Sequence, residues 1–245
     1  MAIKDDYYVL FNGKTNLDLG LYWSSEDFNW ETPETDFTFT SVACVDGDFI
    51  DDNYRYKNIV QAFTFYAISN NQPLDEIKRN VSNWLRTPKK YLPLYVGIRP
   101  GYFLEAVPYN NVSFPRVNER FSKTTIEFNC LPFLKSDLGQ KKIVVTGMTT
   151  LENPEGWKSQ PIIKIIGSGK VDVTINNNVY TITSVDDEVT INSEVYQVYK
   201  TPTQSRNVFA QFSNYEFPEL DLGTNQISVS AGAKLEIIPN WRTLA

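Results

Sequence analysis

Histidine is absent from all 245 residues, and this removes more chemistry than any residue present suggests. Without it there is no Ser-His-Asp or Cys-His nucleophile, and most zinc and non-haem iron sites lose a ligand. Gly167-Ser168-Gly169 is the one Gly-x-Gly, with no third glycine and no following helix, so it does not form a dinucleotide loop. No lysine follows a glycine-rich loop in the Walker pattern. Asp46-Gly47-Asp48-Phe49-Ile50-Asp51 has the acids of a calcium loop, but its glycine stands second where an EF-hand needs it sixth. Two carboxylates could converge for glycoside hydrolysis, yet nothing in the spacing singles out a pair. Cys44 and Cys130 are too few for a disulfide framework. The expectation is a protein without catalytic residues, cofactor or metal.

Charge carries more information. The net charge is −6, the wrong sign for a nucleic-acid grip. Between Lys14 and Arg55 there is no Lys or Arg, while ten acids fall there, among them Asp46, Asp48, Asp51 and Asp52. Such a run is either solvated surface or a face that repels a polyanion or meets a basic partner.

The elements that must position these residues are strands. From Ser159 to Tyr199, β-branched residues alternate with polar ones, cut by Gly167-Ser168-Gly169, Asn176-Asn177-Asn178 and Asp186-Asp187. Period-two alternation with regular turns predicts antiparallel β-structure. Aromatic content of 14% with two methionines fits sheet faces better than helix bundles. No 18-residue apolar run exists, so no membrane insertion is expected, and the N-terminal residues lack the pattern of a leader.

Taken in order, Asp6 to Phe11 and Leu17 to Trp23 read as strands around an Asn12-Gly13 turn. Trp23 to Pro33 reads as loop. Residues 36–45 and 54–68 read as a long hairpin whose outer part, 36–56, is short of large aliphatic residues. A hairpin that cannot bury a core must lie on something else. Residues 71–86 form the one predicted helix. Asn71 is placed to cap it, Pro73 sits in its first turn, and Thr87-Pro88 stops it. Leu74, Ile77, Val81, Trp84 and Leu85 make its apolar stripe. Strands follow at 93–98, 102–107 and 124–130, the last ended by Leu131-Pro132-Phe133. Polar residues 135–142 mark the boundary between domains at 1–135 and 136–245, the second wholly β, with its last strand, near Leu235 to Trp241, a candidate to return to the first domain.

Several segments, in order, resemble the distal tail protein (Dit) of siphophages infecting Gram-positive bacteria. They are Phe11-Asn12-Gly13 with Asp18-Leu19-Gly20, the hairpin leading to Tyr54-Arg55-Tyr56, and the helix closing on Trp84-Leu85. Ile126 to Phe133, Asn153-Pro154-Glu155-Gly156, Ser159 to Gly167, Phe217-Pro218-Glu219-Leu220, Leu222-Gly223-Thr224-Asn225 and Ile238-Pro239-Asn240-Trp241-Arg242 complete the set. The resemblance implies a mostly β fold of two β-sandwich domains. The first would carry one α-helix and a projecting hairpin, the belt, and the second would be galectin-like.

It further implies a hexameric ring at the tail tip, assembled in the host cytoplasm and carried in the virion. The ring would join the major tail-tube protein to a tail-associated lysin or tip protein and to receptor-binding or baseplate proteins. DNA would pass through it as cargo. The belt reading makes Phe37, Phe39, Val42, Phe49, Tyr54 and Tyr56 the expected ring interface, and Asp46, Asp48, Asp51 and Asp52 the expected channel-facing acids. Sugar-binding galectins use a His-x-Asn-x-Arg pattern that this chain cannot contain, so the second domain is expected to act as a scaffold for partner proteins and to have no sugar affinity.

Two readings of other classes stand beside this one. A carbohydrate-binding module for host cell-wall saccharide needs a row of exposed aromatics, which Tyr22, Trp23 and Trp30 could supply. A hydrolase needs an acid pair and secretion.

Overall fold

A computed structural model describes residues 7–24, 28–69, 72–86, 89–118 and 120–245. The chain is mostly β and divides into two compact units. The first runs to Leu134 and takes back Leu244–Ala245; the second is Lys135–Thr243. Among the described residues, no helix is long and apolar enough to cross a membrane.

The first unit opens with β1 (Val9–Phe11) and β2 (Lys14–Thr15), paired antiparallel across Asn12-Gly13. Both turn residues have positive φ, 46° and 74°, as a tight hairpin turn that follows strand twist requires. The expected strand at 17–23 is instead a 3-10 turn, Leu17–Leu19, followed by β3 (Leu21–Ser24). The buried Asn16 side chain is the reason. It accepts from the Val9 N–H at 2.7 Å and donates to the Leu21 carbonyl at 2.9 Å, so it bridges strands that backbone pairing leaves apart.

Next come β4 (Thr35–Ser41), β5 (Asp48–Tyr56) and β6 (Ile59–Ile68). They do not form the single long hairpin expected from 36–45 and 54–68. The chain breaks at Lys57-Asn58, β4 and β5 pair only with each other, and β6 joins the main sheet. The burial of β6 explains the change of role. Its alternate residues Ile59, Gln61, Phe63, Phe65 and Ala67 are buried, whereas no residue of β4 or β5 is.

Helix α1 (Leu74–Leu85) has Pro73 at its N-cap, one position outside the expected first turn, and the expected cap Asn71 lies outside the described residues. So does the expected stop at Thr87-Pro88. Leu74, Ile77, Val81 and Trp84 are buried, and Leu85 packs half-buried beside them. The end of α1 is tied to the first hairpin. Trp84 Nε1–H donates to the Phe11 carbonyl at 2.6 Å, and Asn12 Nδ2 donates to the Trp84 carbonyl at 3.0 Å.

The unit closes with β7 (Leu92–Val96), β8 (Tyr102–Tyr109), β9 (Arg116–Asn118) and β10 (Phe121–Ser136). The sheet order is β2-β1-β7-β8-β10-β6-β3. Ile126, Phe128 and Cys130 are buried on one face of β10, as their alternation predicts. Leu131-Pro132-Phe133 does not end that strand. It runs on to Ser136, and Pro132 is tolerated because its carbonyl, not its missing N–H, is used: it accepts from Ala245 at 3.1 Å. Phe11, Phe63 and Phe128 meet edge to face at the centre of the core, with ring centroids 4.9 and 6.0 Å apart.

The second unit comprises β11 (Ile143–Val145), β12 (Met148–Asn153), β13 (Ile162–Ile175), β14 (Asn178–Asn192), β15 (Gln197–Thr201), β16 (Gln204–Ser205), β17 (Ala210–Phe212), β18 (Gly223–Val229) and β19 (Lys234–Ile238). Its main order is β11-β19-β13-β14-β15-β16, with β18 joining β12 to β13 and β17 on β14. Two turns expected from the sequence are not turns. Gly167-Ser168-Gly169 lies inside β13 and Asp186-Asp187 inside β14, paired with each other as Gly167↔Asp187 and Ser168↔Asp186. Gly169, at φ 75°, begins a bulge before Val171, which absorbs the local distortion without ending the strand. The turn at Asn176-Asn177 forms as expected. Residues 135–142, expected to be a polar domain boundary, begin where the two units divide and include the buried Lys135, Ser136 and Gly139. Lys135 is paired with Glu194, and Gly139 lies so close under Trp241 that a Cβ there would stand 2.3 Å from the Trp241 nitrogen.

Candidate functional site: an exposed two-stranded hairpin

β4 and β5 form a two-stranded sheet that pairs with neither large sheet. Such a ribbon is marginal on its own, since its side chains have no second layer to bury them. Its base is fixed. The Lys57 N–H donates to the Glu34 carbonyl at 2.9 Å, Thr35 pairs with Tyr56, and Arg55 Nε reaches Asp36 at 2.6 Å. The Tyr56 ring packs edge-on against Phe133 at 6.0 Å.

Beyond the base the register assigns each side chain to a face. Phe37 opposes Asp52, Phe39 opposes Ile50, and Ser41 opposes Asp48. Directly opposed residues share a face, so these six lie together. Phe37 and Phe39 are in edge contact at 6.4 Å, and Ser41 Oγ donates to Asp48 at 2.5 Å. The other face carries Thr38 opposite Asp51 and Thr40 opposite Phe49. Between Asp52 and Tyr56 the strand bulges. The Tyr54 N–H bonds the Asp52 carboxylate at 2.7 Å and Tyr54 takes φ 54°, which turns its side chain outward.

The result is an apolar surface in water: Phe39 is 61% exposed, Ile50 60% and Tyr54 93%. Exposed apolar side chains grouped on one face of a polar ribbon make a candidate interaction surface. Of the six residues expected at an interface, Phe37 and Phe39 share a face. Phe49 lies on the other, Tyr54 is thrown out at the bulge, Val42 lies beyond the last residue of β4, and Tyr56 is held at the base. Ile50 was not among them, because its place beside Phe39 depends on the bulge-shifted register. The four acids are also divided. Asp48 and Asp52 border the Phe37–Phe39–Ile50 face, Asp51 lies on the opposite face, and Asp46 is in the turn.

The aromatic row that a carbohydrate-binding module needs does not form from Tyr22, Trp23 and Trp30. Trp23 is buried against Phe28 and Phe63, while Trp30 is half-buried with the Arg99 guanidinium 4.1 Å from its ring centre. Among the described residues, no three His, Cys, Asp or Glu side chains are grouped to hold a metal ion.

No protein-family model matches the chain, and no curated protein matches it in sequence. The fold does match a solved structure, the crystal structure of SPP1 Dit (gp 19.1). The TM-score is 0.65 at 12% identity, over 94% of this chain and 97% of that one. This chain has the Dit fold. SPP1 Dit is described as a paradigm of the hub adsorption apparatus in phages infecting Gram-positive bacteria. At 12% identity the Dit likeness is one of fold, and the role of each residue rests on its own geometry.

Proposed function

We propose that this protein is a structural component of a phage tail tip, a Dit-like hub that closes into a homohexameric ring. In this reading the ring is assembled in the host cytoplasm and joins the tail-tube protein to a lysin or tip protein and to receptor-binding or baseplate proteins. The genome passes through it. The observation that carries the proposal is the β4–β5 hairpin, whose Phe37, Phe39 and Ile50 have no partner layer of their own. A neighbouring copy would supply that layer. The full-length match to the Dit fold supports the same role.

Native mass spectrometry of the purified chain tests it, with a six-fold species expected; a monomer at all concentrations up to those of assembly overturns the ring. A variant with residues 40–52 replaced by a short turn is expected to keep its circular-dichroism spectrum and to lose the ring. Retention of the ring in that variant removes the hairpin from the interface.

A further inference from the structure

The second unit carries a groove lined by aromatic side chains. Two cavities of about 640 and 330 Å³ adjoin along it, sharing Tyr196, Tyr215 and Phe217. An aromatic series leads outward to it. The buried Tyr180 meets Phe212 at 5.3 Å, Phe212 meets Phe217 at 5.1 Å, and Phe217 meets Tyr196 at 5.5 Å, each edge to face. Tyr196 is thereby backed by the core while remaining 61% exposed. Its hydroxyl accepts from Gln160 Nε2 at 3.1 Å, and Gln160 Oε1 accepts in turn from Arg242 Nη1 at 2.8 Å. Tyr215 also lines both cavities and is 98% exposed.

Both tyrosines lie in turns and hold positive φ, 53° and 60°, a conformation that bulky side chains seldom adopt. A further observation points to a ligand. Ser193 lines the smaller cavity at 1% exposure, and its hydroxyl has no hydrogen-bond partner among the described residues. Buried hydroxyls are nearly always satisfied, so this one marks a missing partner.

We propose that this groove binds a neutral glycan chain. A sugar ring has an apolar C–H face and a rim of hydroxyls, and the groove offers the complement of both. Tyr196 and Tyr215 present ring surface at low conformational cost, Gln211 and Ser213 line the groove with amide and hydroxyl groups, and the Ser193 hydroxyl lies buried in the wall of the smaller cavity. Glu216 and Glu219 on the same wall disfavour phosphate-bearing polymers. The missing galectin-type pattern does not bear on this groove, which uses no histidine. Nor does the proposal depend on ring formation.

The test uses the full chain and a panel of neutral hexose and N-acetylhexosamine oligosaccharides, with a glycerol-phosphate polymer as the polyanionic control. Binding is read by saturation-transfer NMR and calorimetry. At least one neutral oligosaccharide is expected to bind with Kd on the order of 1 mM or tighter. The double variant Tyr196→Ala/Tyr215→Ala is expected to weaken it by about tenfold or more. Ser193→Ala should weaken binding without lowering Tm, because its hydroxyl has no partner to lose. The single variant Tyr215→Ala keeps the test meaningful if the double variant misfolds, since a side chain this exposed supports little of the fold. No saturable binding across the panel overturns the proposal, as does equal affinity in the tyrosine variants. A preference for the polyanion, or capture of an extended peptide in place of any glycan, also overturns it.

Discussion

The two cysteines show how far a side chain's behaviour depends on its surroundings. Cys44 is exposed in the turn of the β4–β5 hairpin, whereas Cys130 is fully buried in β10. Burial pushes the Cys130 thiol from an ordinary 9.0 up to about 12, since a thiolate there would lose its hydration. A disulfide-exchange reagent at pH 8 is therefore expected to titrate one thiol quickly and the second only on unfolding. The linkage sign follows: the folded state holds a proton that the unfolded state releases, so the Cys130 contribution is complete below pH 9 and is lost as pH rises towards 12. Cys130→Ala should flatten that alkaline fall. Two equally fast thiols in the native protein would contradict the buried placement. Burial of Cys130 was legible in the sequence from the alternation Ile126, Phe128, Cys130. The positions of Tyr196 and Tyr215 were not, because a positive φ at tyrosine has no signature in residue type, unlike the same conformation at Asn12-Gly13.

At the scale of elements, α1 is joined to the first hairpin by one buried bond, from Trp84 Nε1 to the Phe11 carbonyl. Trp84→Phe keeps an aromatic ring but leaves that carbonyl without its donor. The expected cost is about 1–3 kcal/mol, the penalty for an orphaned buried acceptor. Chemical denaturation measures it, and an unchanged midpoint would mean that water replaces the indole. The apolar stripe of α1 was readable from 3.6-residue spacing, and so was the inability of residues 36–56 to bury themselves. Two misreadings share a physical cause. Asp186-Asp187 and Gly167-Ser168-Gly169 are turn-forming residue types, yet they face each other across a long strand pair, so each tolerates the distortion of the other. The break at Lys57-Asn58 was hidden because strand-like residues continue on both sides of it, and only burial separates the ribbon from the sheet.

At the scale of the whole molecule, a ring through which DNA slides must not hold it. Lys and Arg contacts to phosphate supply most non-specific affinity, so a net charge of −6 per chain agrees with the proposed conduit role. The register of the hairpin sharpens where its acids can act. If the Phe37–Phe39–Ile50 face packs on a neighbouring copy, Asp48 and Asp52 border that contact, and Asp51 with Asp46 remain for the lumen. Repulsion is screened beyond roughly 8 Å at physiological salt, so only acids near the DNA surface count. The assembled native ring is expected to show no duplex binding in a filter assay at about 0.15 M salt. Asp46→Lys/Asp51→Lys should bind duplex weakly, with an affinity that falls steeply as salt rises. Asp48→Lys/Asp52→Lys should instead shift the population of rings, seen by native mass spectrometry. Tight duplex binding by the native ring would remove the conduit role. An Asp46/Asp51 variant that assembles normally and still ignores DNA would place the hairpin turn away from the lumen, leaving the hairpin as an interface alone.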